Sequence, residues 1–307
     1  MSAKAPPKKK PASTERAAAP HPEAPDPLSP DNLKKLALRL GLPVLGGWVI
    51  ALFFDGWVAK AVMGVITLVL AGVAAWAIRY AKKSKAVVDI LKTADTPEGR
   101  KEALQRLETE FKKDDAAALF AKSQLQMQED PREALKTLEQ INLDRVLATV
   151  ADEARAQRAM IHLVLGETDE ARVLVDPIDL SRHQDAKSRA TLTAIIAEAW
   201  SRTGQAKRAV ELLDKLNDDD PAFAELRPQI YRSRAFAYAW AGDTKQMRKV
   251  LLALRGLNVQ YLTGFITKKK NPHGVAPRGV HPLLEKEAFD LVMKSGAIPR
   301  RMEVRRG

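Results

Sequence analysis

Two runs without a charged residue, Leu40–Phe54 and Ala61–Ile78, stand near the start of a chain whose later part sets apolar positions at helical spacing among charged ones. A helix needs about 20 apolar residues to cross a bilayer. The first run holds fifteen residues, and nineteen when Leu36 to Arg39 are included, with Arg39 snorkelling toward the headgroups. Counted from Trp57, the second is long enough, with Lys60 near one interface. The turn pair Asp55-Gly56 lies between them. The pattern predicts a transmembrane helical hairpin over residues 33–80. Gly46, Gly47, Gly64, Ala71, Gly72 and Ala75 would let its helices approach closely, and Trp48, Trp57 and Trp76 suit interfacial or lipid-facing positions.

The flanks set an orientation. Lys34, Lys35 and Arg39 precede the pair and Arg79, Lys82, Lys83 and Lys85 follow it, which places both ends on the cytoplasmic side. The expected location is a bacterial inner membrane, with the N-terminus and the soluble body in the cytoplasm. Two other readings of the runs are a buried hairpin in a soluble core and a single span at Trp57–Ile78. The second would move one terminus across the membrane.

Beyond residue 86 the periodicity is helical throughout, and no β-branched alternating run bounded by turns occurs. Thr96-Pro97, Asp130-Pro131 and Asp220-Pro221 read as helix starts, a capping side chain followed by proline in the first turn. A second rhythm lies over the first. Gly166, Gly204 and Gly242 recur every 38 residues, each between two apolar-periodic halves. Seven residues before each stands Ala159, Ala197 or Ala235, and four before stands a ring, His162, Trp200 or Tyr238. Five after come Ala171, Ala209 and Met247, nine after come Val175, Leu213 and Leu251, and twelve after come Ile178, Leu216 and Leu254. Small residues at fixed places on two helices let them pack antiparallel, and the glycine ends the first in a left-handed turn. One such pair cannot bury its own apolar face, so neighbours must stack.

This pattern resembles the tetratricopeptide repeat family, on Ala159-Gly166-Ala171, on Ala197-Trp200-Gly204-Ala209-Pro221 and on Ala235-Tyr238-Gly242. The period exceeds the family's, which is about 34 residues. Arg155, Thr193 and Tyr231 stand where the family has an early tryptophan, and Arg158 and Arg234 replace a leucine whose place only Ile196 keeps in kind. Weaker copies around Ala103 and Ala134 extend the resemblance over roughly residues 90–260, about four to five helix pairs. The expectation is an all-α chain in four parts: a disordered Pro/Lys-rich tail (1–32), the hairpin (33–80), a repeat solenoid (86–262) and a basic, loop-rich extension with one short helix (263–307).

Composition sharpens this. Residues 1–30 hold eight of the eighteen prolines and no apolar period, the mark of a disordered tail rather than a signal peptide. The chain has no cysteine, which removes disulfides and thiolate metal sites. Its net charge of +12 sits at the ends: residues 1–39 carry 8 Lys/Arg against 4 acids and residues 268–307 carry 10 against 4, while 86–267 carry 27 against 29. Lys82, Lys83 and Lys85 are placed to meet anionic lipid. Nucleic acid ranks below lipid as a partner, because no aromatic residues are interleaved with the basic ones.

Candidate chemistry is sparse. His162 falls on the ring position of the repeat and reads as packing, and His273 and His281 have no partners at metal-like spacing. Asp218-Asp219-Asp220 lacks the alternating ligands of a calcium loop and reads as helix capping. No phosphate loop, nucleophile elbow or zinc-protease motif occurs, and no catalytic pair, metal or cofactor is expected. Forty loop-rich residues at 268–307 are too few for an independent catalytic core.

The chain therefore reads as an interaction module and not an enzyme: a membrane-anchored scaffold for a protein or peptide partner. The other class is a tether binding anionic lipid or nucleic acid through basic termini. The resemblance implies a groove lined by the first helix of each pair, here Met160, Leu163, Glu198, Arg202, Arg232, Phe236 and Trp240. Arg202 and Arg232 would hold a carboxylate, and Phe236 with Trp240 would offer an apolar anchor. Packing of Phe236 and Trp240 against the neighbouring repeat is the other reading of those two residues.

Overall fold

A computed structural model describes residues 30–53, 57–266 and 279–296. The tail through residue 29, the Asp55-Gly56 turn, the Lys268–Lys270 run and His273 lie outside the described residues. The chain divides into two compact units, Met1–Ala86 and Val87–Gly307. Every regular element among the described residues is helical, with no strand.

The first unit holds α1 (Pro30–Phe53) and most of α2 (Trp57–Lys92). Trp48 Nε1 of α1 donates to Thr67 Oγ1 of α2 at 3.0 Å, and a Cβ at Gly47 would meet Met63 Cε at 2.6 Å. Thr67 in turn donates to the Met63 carbonyl at 2.7 Å, so its hydroxyl is satisfied within the helix. Along α2 the large apolar side chains Trp57, Val65, Leu68, Val69, Val73 and Trp76 stand exposed. Lys60–Lys92 is the one helical stretch among the described residues long and apolar enough to cross a membrane, and none of its most apolar window is buried.

The second unit begins with the last residues of α2, whose Val87 and Ile90 pack with Ala103 and Leu107 of α3 (Pro97–Glu110) and with α4 (Ala116–Gln126). There follow α5 (Pro131–Glu139), α6 (Ala148–Leu165), α7 (Thr168–Val175), α8 (Ala186–Arg202), α9 (Ala206–Leu213), α10 (Arg227–Ala241), α11 (Thr244–Leu257), the 3-10 segment Val259–Phe265 and α12 (Pro282–Lys294). Helices pack as consecutive pairs, α4 with α5, α6 with α7, α8 with α9 and α10 with α11. The first helices α6, α8 and α10 also touch in series.

The three glycines turn the chain as their spacing requires. Gly166, Gly204 and Gly242 have φ of 80°, 86° and 81°, the left-handed region. In each turn the amide after the glycine donates to the carbonyl of the ring residue: Glu167 to His162 at 2.8 Å, Gln205 to Trp200 at 2.8 Å and Asp243 to Tyr238 at 2.9 Å. This is the closing bond of a Schellman cap, and it satisfies a carbonyl the helix leaves open. The small residues sit where helices meet. Ala159, Ala197, Ala235, Ala171, Ala209 and Met247 are wholly buried, as are Ala103 and Ala134 of the weaker copies.

The arginines that break the repeat pattern have a structural task. Arg158 donates to the carbonyls of Leu138 (2.6 Å from Nη2) and Ile141 (2.8 Å), closing the end of α5. Arg234 does the same for Leu213 (3.1 Å) and Leu216 (3.0 Å) after α9, and also pairs with Asp218. Burial pulls the Arg158 pKa below its ordinary value, opposed in part by Glu139, yet the group has ample margin to remain a cation.

Capping follows the sequence at two of three sites. Thr96 accepts from the Gly99 amide at 3.0 Å and Asp130 from Arg132 at 2.8 Å. At the third, Asp220 caps the 3-10 segment Pro221–Leu226 and α10 opens only at Arg227. The tight segment carries Phe223 into the core with Ala190, Ala194 and Ile230. Asp218 is not part of that cap; its carboxylate serves Arg234.

Because Gly204 has open space around its Cβ position, its requirement is conformational and not steric. Gly204→Ala is expected to destabilise the body by about 1–2 kcal/mol. Gly256→Ala, inside α11 and equally uncrowded, is expected to stabilise it by about 0.4–1 kcal/mol. Urea denaturation of both variants checks this, and equal effects of the same sign would sink it.

Candidate partner-binding face

The candidate residues come from three first helices, α6, α8 and α10, and the fold gives them unequal surroundings. Helix α8 packs against both of the others; its first turn is exposed, and it is mostly buried from Ala190 to Arg202. Its Glu198 carboxylate is 5% exposed and accepts from Arg202 Nη1 at 3.0 Å, one turn away on the same helix. From α10, Arg232 reaches it with both arms of its fork, Nε to Oε2 at 3.0 Å and Nη2 to Oε1 at 3.1 Å. Arg202 Nη1 also donates to the Leu163 carbonyl at the end of α6, 2.9 Å away. One buried carboxylate thus ties three helices together.

Both guanidinium groups rest on the Phe236 ring, Arg202 at 4.8 Å and Arg232 at 5.3 Å from its centroid. Phe236 in turn meets Phe265 at 5.3 Å, ring to ring. Burial alone would push the Glu198 carboxyl up; the two arginines outweigh it and hold the group below the usual carboxylate range. Burial lowers the Arg202 pKa, against the pull of Glu198, while Glu198 raises that of Arg232.

The region beyond α11 closes over this face. The 3-10 segment Val259–Phe265 sets Leu262 and Phe265 into one core with Phe236, Leu251, Leu254 and the α12 residues Leu284, Ala288 and Val292. A Cβ at Gly264 would come within 2.9 Å of Arg232 Nη1. Gly279, with φ of 99°, lies so close to Thr168 and Arg202 that a Cβ would stand 2.7 Å from Thr168 Cγ2 and 2.8 Å from Arg202 Nε. His281 caps α12, accepting from the Leu283 amide at 3.2 Å, and sets its ring edge-on to Trp240 at 4.9 Å.

Of the seven residues expected to line a groove, Leu163, Glu198, Arg202 and Phe236 are buried. Their task here is internal. Phe236 takes the packing alternative, and the carboxylate that Arg202 and Arg232 hold is the chain's own Glu198. Arg232 keeps its side chain 30% exposed, Met160 is 37% exposed beside the more open Val164, and Trp240 is 42% exposed. The described part of residues 263–307 holds one helix, α12, whose Leu284, Ala288 and Val292 share a core with α10, α11 and the 3-10 segment.

A second buried carboxylate escaped the sequence reading. Asp152, at the start of α6, accepts from Arg155 Nη1 at 3.1 Å, with Arg182 and His183 both 3.5 Å away. Arg155 thus serves a buried charge. Nothing in the local sequence marks Asp152 as buried, since acid, arginine and histidine come from separate segments. His162 is half-buried and shares a hydrogen bond with Glu167 at 2.8 Å, while Arg132 donates to the other Glu167 oxygen at 2.8 Å. No group of three or more acids and histidines arranged for a metal ion occurs among the described residues.

No family model matches the chain, and neither a curated protein nor a solved structure matches it.

The Glu198 network makes a testable demand. Removing the carboxylate leaves the buried Arg202 and the partly exposed Arg232 as like charges facing one another, so Glu198→Gln is expected to cost about 3 kcal/mol. A carboxyl held below its unfolded pKa contributes stability above that unfolded value and loses it as pH falls through the folded one. The gap between wild type and Glu198→Gln should therefore be full at neutral pH and shrink below the ordinary glutamate range. Thermal melts of both proteins across an acid pH series read the gap directly. A gap that does not change with pH would show that Glu198 carries no such charge-dependent role.

Proposed function

We propose that the chain is a membrane-anchored scaffold of tetratricopeptide-like helix pairs that holds a protein or peptide partner at the cytoplasmic face. The observation that carries this reading is the conjunction, in one chain, of an apolar helix with no buried window and a body of serially packed helix pairs turned at equivalent left-handed glycines. Stacked pairs form extended surfaces whose side chains are free to vary while the packing alanines are not. On this body Met160, Val164 and Trp240 remain as exposed large apolar residues on first helices.

In this reading α1 and α2 cross the bilayer as a hairpin. The Trp48–Thr67 hydrogen bond and the tight approach of Gly47 to Met63 support a helix–helix contact of the kind small residues make in lipid. Both ends then face the cytoplasm, where Arg79, Lys82 and Lys83, exposed on α2, meet anionic headgroups at about 1 kcal/mol each. The exposure of those three side chains directly after the apolar stretch also favours a lesser reading in which the basic segment is itself the tether. The two separate by dependence on the body.

Crosslinking in native membranes, followed by purification, is expected to recover a defined partner with the full chain and to lose it when residues 87–296 are deleted. Recovery of the same partner without that region would leave the tether and discard the scaffold. Reporter fusions at the C-terminus are expected to read cytoplasmic; an external signal would overturn the hairpin topology.

A further inference from the structure

A cleft of about 490 Å³ opens between the Gly204 turn and the end of α10, lined by Gln205, Ala206, Lys207, Arg208, Trp240 and Ala241 together with the turn glycine. It lies outside the buried Glu198 network, and no acidic residue lines it. Its charged wall is built and not merely present. Trp200 Nε1 donates to Asp176 Oδ1 at 3.0 Å, which fixes the indole, and the Arg208 guanidinium lies 3.8 Å from the centroid of that ring. Arg208 Nη1 also donates to Gln205 Oε1 at 3.3 Å. The opposite wall is held too, because the His281 ring abuts Trp240 while His281 caps α12.

Each of these contacts removes side-chain freedom before any ligand arrives, and such prior ordering lowers what binding must spend on immobilising the wall. An exposed tryptophan beside a fixed arginine is also the composition of an interface hot spot. Arg208 shares its field with the Asp176 carboxylate behind the indole, while Lys207 is exposed and the lining itself holds no acid, which favours an anionic occupant; a planar guanidinium also suits a carboxylate's two oxygens. The Trp240 face asks for a flat or bulky apolar group next to that carboxylate. The volume holds a few side chains and not a folded domain.

We infer that this cleft binds an acidic linear peptide segment, a Glu or Asp side chain on Arg208 and Lys207 with a neighbouring aromatic or large aliphatic side chain against Trp240. The inference rests on the scaffold reading above and gives that scaffold's partner a chemistry. It also moves the point of contact from the inner face, which the chain fills itself, to the edge where the helix pairs turn.

The test uses the full chain in micelles of an uncharged detergent and a fluorescein-labelled peptide of alternating Glu and Phe, read by anisotropy. Binding is expected, with loss when every Glu of the peptide is replaced by Gln. The double change Lys207→Glu and Arg208→Glu should weaken it by at least about tenfold, and the milder Arg208→Gln by several-fold, with circular dichroism confirming that both fold. Trp240→Ala should also weaken it, while Lys245→Glu, a charge reversal on α11 away from the cleft lining, should leave it within about twofold. Three results would each overturn the cleft: no binding of the acidic peptide, binding indifferent to the Lys207 and Arg208 changes, or phosphatidylglycerol vesicles or inorganic phosphate displacing the peptide at equal concentration. If the charge-reversed chain still crosslinks to the wild-type partner in membranes, the cleft is refuted and the scaffold stands. If the unaltered chain crosslinks to nothing, it is the scaffold reading that fails.

Discussion

The body of this protein depends on reversing a helix within one residue, three times, at equivalent places. A left-handed residue at the end of a helix lets the next helix start antiparallel and alongside, and only glycine takes that conformation without strain. Once Gly166, Gly204 and Gly242 set the turn, the distance between the two helices is set by what lies seven residues before and five after. Alanine at nearly all of those places, wholly buried, keeps the axes close. The carbonyl freed at the turn belongs to the ring residue and is closed by the amide after the glycine. Turn, spacing and hydrogen bonding are one device, and the apolar positions nine and twelve residues on then have a neighbour to cover.

Against this regular frame the irregular positions carry the polar work. Arg158 and Arg234, where a leucine would continue the pattern, close the open carbonyls of the preceding helix, while Ile196 at the same place joins an apolar cluster. A helix end leaves its last carbonyls without α-helical partners, and an arginine adds several donors to them at once. Arg155 and the Glu198 network follow the same logic with buried carboxylates. Breaking such a network is costly because each removed partner leaves a charge behind, so these groups lock which helix sits beside which.

The network also relocates the surface available to a partner. At its α10 end the face lined by first helices is covered by the chain's own 3-10 segment and α12, which share one apolar core with α10 and α11. That core includes Phe265, Leu262 and Leu284, all fully buried, so the closure is part of the fold and not a loosely held flap. What stays open lies on the outer strip of α6, at Met160 and Val164, and at the turn edge beside Trp240.

Periodicity alone determined the helical class, the turn glycines, the buried alanines and the apolar helix near residue 60, because each follows from spacing within a single stretch of chain. The burial of Ala103 and Ala134 was legible in the same way, from the position of each in a helix rather than from its neighbours. The candidate site was legible only as a set of positions. Arg202, Glu198 and Arg232 do come together, as the resemblance implied, yet whether that face meets water or the chain itself depends on Leu262, Phe265, Leu284, Ala288 and Val292 further along the chain. Asp152 with His183, the delayed start of α10 and the pinning of Arg208 on Trp200 likewise needed three dimensions. The physical reason is common to all of them. Spacing along a helix fixes which way a side chain points, while the partner that satisfies or buries it is brought there by the packing of helices distant in sequence.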